Sequence, residues 1–156
     1  MKLQKLLYYA QGWHLAWYGR PLFAERIEAW EMGPVVRSFW VDHEHDRPRP
    51  EPQILSDEAR VVLTFVSERY GGMTGNQLRD QSHREAPWRE AYGVGDRLVR
   101  TNAEITPEAL MQFFRAQPDY LAHLREVDRE RARLGNPFDD RLSGAIEAAV
   151  ATALSH

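Results

Sequence analysis

Large apolar residues crowd the first eighteen positions: Leu3, Leu7, Ala10, His14 and Trp17 fall at alternating four- and three-residue steps, and Leu6, Tyr9, Trp13 and Leu15 widen the surface around them. Steps of that size share one face of an α-helix, and a helix apolar on most sides must be surrounded by other elements. The pattern predicts a central helix over residues 2–17. Gly19-Arg20-Pro21 breaks it, Phe23, Ile27 and Trp30 mark an extended apolar link, and Gly33-Pro34 reads as the start of a short second helix carrying Val35, Val36, Phe39 and Trp40.

Prolines 48, 50 and 52 forbid a helix across 42–52 and leave an extended, solvated connection. Ser56 suits an N-cap, with Asp57 and Glu58 in the first turn and Val62, Phe65, Val66 and Tyr70 at helical spacing, so a helix is expected over 56–70 until Gly71-Gly72 stops it. Thr74 and Gln77 have the spacing of a capping box, opening a helix over 75–83, and Pro87-Trp88 begins a last turn over 88–92. Leu98 and Val99 allow a strand over 97–101 that pairs with 27–30. Thr106-Pro107-Glu108 starts another helix whose buried side is Leu110, Met111, Phe113 and Phe114. Densely charged residues over 119–134 form a solvated helix, Gly135-Asn136-Pro137 ends it, and Leu142, Ile146, Ala149, Val150 and Ala153 mark a further amphipathic helix. The expected architecture is mainly α, or α+β if the links pair: a compact helical domain over 1–117 with at most a two- or three-stranded sheet, and a C-terminal helical hairpin over 118–156 packed on the same domain or on a partner, a second copy in a homo-oligomer included.

Two blocks carry a family resemblance. The run KLQKLLYYAQGWHLAWYGRPLF followed by IEAWEMGPVV, and about fifty residues later Leu78 with Ser82-His83-Arg84-Glu85-Ala86-Pro87-Trp88, resemble the signature of the Panacea domain, found in SocA-like antitoxins and phage-associated GepA-like proteins. The resemblance covers residues 1–114 and leaves the last forty unmatched; such proteins usually have a further helix ahead of the motif, whereas this sequence starts at it. It implies an antitoxin that neutralises a cognate protein toxin, by direct binding or as an adaptor handing the toxin to a cytosolic protease, with no enzymatic activity and no cofactor.

Composition changes this picture little. A chain of 156 residues suffices for one domain with its own core, and the absence of cysteine excludes disulfides, thiolate metal sites and thiol nucleophiles. It also fits a cytoplasmic location. The polar residues Gln4, Lys5, Gln11 and His14 interrupt the first apolar run and argue against a signal peptide, and no run is long enough for a membrane span. A net charge of −3 argues against broad binding to nucleic acid. The alternative function, a DNA-binding and autoregulatory module, would have to use the arginines over 79–89, where Glu85 and Glu90 oppose it.

Candidate chemistry thins out on inspection. His43 and His45 sit in the proline-rich loop without the helical spacing of a metal site, and His83-Arg84-Glu85 resembles half a zinc deaminase signature whose cysteines are missing. Asp80, Ser82 and His83 are too close in sequence to converge as a triad, and Gly71–Gly75 lacks the lysine of a phosphate loop. What remains is a set of structural or partner-binding candidates: His14, Trp30, Gly33, Pro34, Ser82, His83, Glu85, Pro87 and Trp88. His14 is expected to be a core histidine paired with a buried group, Glu85 being the natural partner; Ser82 or His83 should fix the turn, Pro87 direct it and Trp88 plug the core. Trp13, Trp30 and Trp40 are expected as core first and as partner contacts second, since aromatics dominate both settings.

Overall fold

A computed structural model describes residues 1–39, 55–93 and 102–133, with side chains through Arg125. The first helix, α1 (Lys2–Tyr18), runs through the centre, and α2 (Asp57–Tyr70), α3 (Gly75–Ser82) and α5 (Pro107–Arg115) pack against it. Eleven of its seventeen residues are buried. Of the Leu3 to Trp17 stripe, Ala10 and His14 are buried, whereas Leu3 is 46% exposed and Leu7 and Trp17 are only partly buried; Tyr8, Tyr9, Trp13 and Ala16 make up the rest of the buried surface. Gly12 makes close approach possible, since a methyl group there would overlap the Phe114 ring of α5. At its C-terminus Gly19 takes the left-handed conformation (φ 69°) and donates to the Leu15 carbonyl, while Nε of Arg115 reaches the Ala16 carbonyl at 3.0 Å.

Sequence-level signals at the helix ends are realised as written. Ser56 caps α2 by accepting from the Ala59 N–H, Thr74 and Gln77 form both bonds of the capping box of α3, and Thr106 caps α5. The second block opens α4 (Ala86–Tyr92), two residues before the expected turn, with Pro87 in its first turn. The charged segment forms α6 (Pro118–Arg133).

Two expectations are overturned. Gly33-Pro34 does not start a helix: Gly33–Val36 is strand β2, antiparallel to β1 (Ile27–Trp30), and helical backbone begins only at Arg37. A ring that fixes φ and lacks an N–H suits an edge strand as well as a first helical turn, and pairing with β1 decides between them. The partner of Ile27 and Glu28 on the other side of β1 is β3 (Glu104–Ile105) rather than the expected 97–101, with Ile27 opposite Ile105 and Glu28 opposite Glu104, giving the antiparallel order β2-β1-β3 among the described residues. The proline-rich connection with His43 and His45, Trp40, the 97–101 segment, the Gly135 turn and the 142–153 segment lie outside the described residues. By its internal contacts the chain divides into Met1–Tyr120 and Leu121–His156.

Candidate functional site

The polar residues of α1 that interrupt its apolar run are buried, and each holds the backbone of the segment that follows. Gln4 Oε1 accepts from Val36 N–H (2.7 Å) and Lys5 Nζ donates to the Pro34 carbonyl (3.0 Å). Pro34 has no N–H to satisfy, so these two side chains and the proline close the outer edge of β2. Gln11 accepts from the N–H groups of Leu22 (2.7 Å) and Phe23 (3.3 Å) and donates to the Phe23 carbonyl (2.8 Å). His14 is 4% exposed, and its Nδ1 lies 2.7 Å from the Arg20 carbonyl. Its partner is therefore not Glu85. The two residues sit at different ends of α1's contacts, and the carbonyl freed by the Gly19 break is the nearer acceptor.

Glu85 is held instead by Tyr8 and Tyr9, whose hydroxyls donate to its two carboxylate oxygens at 2.8 and 3.1 Å, with Gln81 Nε2 at 3.4 Å. It stands at the N-cap position of α4 yet makes no side-chain cap bond; the carboxylate turns back to α1. Burial pushes its pKa up to about 6, against the opposing pull of the phenol hydrogen bonds. The same burial and the neighbouring carboxylate raise Tyr8 and Tyr9 far above the ordinary tyrosine range. Tyr9 stacks on Tyr70 at 4.0 Å, and Tyr70 accepts from Trp13 Nε1 at 3.1 Å, so the clasp runs on into α2.

Beside this clasp, Ser82 is fully buried and donates to the Arg79 carbonyl at 2.9 Å. Gly33, at φ 98°, leaves room for the side chains of Lys5 and Ser82 beneath it: a Cβ there would lie 2.8 Å from Lys5 Cε and 3.3 Å from Ser82 Oγ. Burial, and then the Arg79 charge, bring the Lys5 pKa down to about 8. An amine and a hydroxyl beside one glycine have the residue types of a nucleophilic pair, but both are buried, Lys5 at 1% exposed and Ser82 at none.

The outer part of the block faces the surface. His83, Trp88 and Tyr92 form a continuous stack with ring centroids 3.9 and 4.6 Å apart, and Trp88 Nε1 donates to the Trp30 carbonyl at 3.0 Å. That bond ties α4 to the β1–β2 hairpin, whose two-residue tip is Glu31-Met32. Trp30 Nε1 in turn donates to Glu28 at 2.8 Å. Burial, then Arg79 and Lys5, hold the His83 pKa below its usual value, and its Nε2 is buried without a hydrogen bond among the described residues. Pro87 is buried in the first turn of α4.

The structure thus brings Gly33, Pro34, Ser82 and Glu85 together around α1, joins Trp30, His83 and Trp88 at the hairpin, and leaves His14 apart from both groups. Gln4, Lys5, Gln11, Tyr8 and Tyr9 complete the arrangement, and sequence reasoning gave them no role in it. For Gln4, Lys5 and Gln11 the signal is present in the first helix, where polar groups on a helix apolar on nearly all sides must find partners. Among the described residues, no three His, Asp or Glu side chains are grouped to hold a metal ion, and no helix is long and apolar enough to cross a membrane.

Searches among curated proteins and among solved structures return no match. A family model described as "Antitoxin SocA-like, Panacea domain" matches residues 3–89, a narrower span than the 1–114 suggested by the sequence blocks. The matched span contains the hydrogen bonds from α1 to the hairpin and from α1 to Glu85, and it covers more than half of the chain. The chain belongs to the SocA-like antitoxin family and carries its Panacea domain.

Proposed function

We propose that this protein is an antitoxin that neutralises a cognate protein toxin by binding it directly. The observation that carries the reading is the family match over residues 3–89, which takes in both blocks and the polar frame they build. Support also comes from what those side chains are used for. Lys5, Ser82 and Glu85, the groups with the most chemical potential, are committed to the Pro34 carbonyl, the Arg79 carbonyl and the Tyr8–Tyr9 pair. A frame so arranged offers a partner a fixed surface rather than a reaction.

The test is co-expression with each protein encoded beside this one. One of them should arrest growth alone, be tolerated when this chain is present, and co-purify with it. Delivery to a cytosolic protease would begin with the same contact, and it is distinguished by a protease-dependent fall in toxin level. If every neighbour is harmless when expressed alone, the reading fails.

A further inference from the structure

Glu85 stands where α4 needs a cap and does not serve as one. An N-cap side chain ordinarily accepts from the free N–H groups of its own helix, and a carboxylate there also gains from the positive end of the helix dipole. Here the side chain turns away to α1, where Tyr8 and Tyr9 each donate to one of its oxygens. Two seats are therefore open to the carboxylate: the phenols inside, or the end of its own helix in water.

The seats differ in how they treat charge. Three phenols face the inner one, Tyr8 and Tyr9 from α1 and Tyr70 from α2, with Gln81 of α3 beside them. No cation among the described residues pairs with the carboxylate: Lys5 bonds to the Pro34 carbonyl, Arg79 to Asp80 and Arg115 to the Ala16 carbonyl, while Arg84, Arg89 and Glu90 of its own segment are exposed. On the strands and helix packed against α4, Glu28 is bonded to Trp30, Glu104 to Arg26, and Glu108 is exposed. Burial thus penalises the ionised form inside and holds the Glu85 pKa up at about 6, whereas water and the helix end favour that form outside.

The helix is able to follow the carboxylate. Seven residues are too few for a helix to hold by itself, and Trp88, three residues after Glu85, ties α4 to the hairpin through its Nε1 bond to the Trp30 carbonyl. We propose that Glu85, Tyr8 and Tyr9 form a proton-operated latch: protonated, Glu85 stays on the phenols; ionised, it leaves them more often, and α4 then lifts from α1 and carries Trp88 off the hairpin. Because Glu85 binds its proton more tightly inside than outside, opening is rarest below about pH 4.5, grows until about pH 6 and is level above it. The difference between those two values sets a ceiling of about thirtyfold. His83, stacked on Trp88, works in the opposite sense, since burial holds its pKa down and the stack weakens as pH falls toward that lowered value. The latch stands independently of the antitoxin reading.

The experiment follows two indole N–H groups of the full chain by NMR hydrogen exchange between about pH 4 and about pH 7.5. Trp88 Nε1 reports release of α4 from the hairpin, while Trp13 Nε1, bonded to the Tyr70 hydroxyl at 3.1 Å in the core, reports opening of the whole fold. Both are indoles, so their rates compare directly. Trp88 should exchange faster than Trp13 at every pH. Its opening, corrected for the intrinsic rate, should rise about twentyfold across the range relative to Glu85→Gln, which lacks the titration. Equal rates for the two indoles would overturn the latch, because Glu85 would then act only through global unfolding, and so would parallel pH profiles in parent and variant. Should Glu85→Gln not fold, the parent alone decides: a corrected Trp88 opening that is flat or falls as pH rises overturns the proposal, and one that rises, with Trp88 still ahead of Trp13, supports it.

Discussion

Replacing Glu85 with alanine opposes two effects of different origin, and their balance changes with pH. The carboxylate accepts from Tyr8 and Tyr9, both wholly buried, so its removal strands two phenol hydroxyls. An unsatisfied buried donor costs about 1–3 kcal/mol, which puts the loss at roughly 4 kcal/mol for the pair. Against this, the parent bears the cost of burying a charge. With a pKa of 4.5 unfolded and about 6 folded, the folded state binds more protons across that window. Parental stability is therefore fully present below the unfolded value and falls as pH rises toward 6, by about 2 kcal/mol at roughly 1.4 kcal/mol per pKa unit. Glu85→Ala escapes that loss. It should cost about 4 kcal/mol near about pH 4 and about 2 kcal/mol near about pH 7, read from urea melts of parent and variant in parallel. A cost near zero at both pH values, or one that grows with pH, would refute the description of Glu85 as a buried carboxylate held by two phenols.

Lys5 predicts the opposite slope, since its pKa of 10.5 unfolded and about 8 folded means that the unfolded chain binds more protons between those values. Parental stability relative to Lys5→Met should rise by about 3 kcal/mol from about pH 7.5 to 10.5, and a flat difference would contradict burial of the amine. Gly12→Ala should destabilise by roughly 1–3 kcal/mol, because the added methyl group meets the Phe114 ring; a melt unchanged from the parent would show that α1 and α5 are not in close contact.

The sequence was most informative where structure is set locally. Ser56, the Thr74–Gln77 box and Thr106-Pro107 each act within a few residues, and each caps the helix its spacing predicts. Gly33-Pro34 was misread because its backbone preference is compatible with two structures, and the choice falls to a strand partner at Ala29 and Trp30. The pairing of Glu104–Ile105 with Glu28 and Ile27 escapes a local reading for a similar reason, because its partners lie 76 and 78 residues apart in the chain. Assigning Glu85 to His14 assumed that two polar groups in one core must meet. Each instead has a better partner: a carbonyl six residues on for His14, and the Tyr8 and Tyr9 phenols of α1 for Glu85. Tyr8 and Tyr9 looked like bulk in an apolar helix, and nothing in their spacing showed that their hydroxyls were needed.

If this chain neutralises a toxin by contact, one of the proteins encoded beside it should arrest growth when expressed alone, be tolerated beside the parent chain and co-purify with it. Glu85→Gln, which keeps an acceptor for the Tyr8 and Tyr9 hydroxyls, should do the same once urea melts show it folded. Neighbours that are all harmless when expressed alone, or a toxic one that the parent chain never relieves, would contradict the reading.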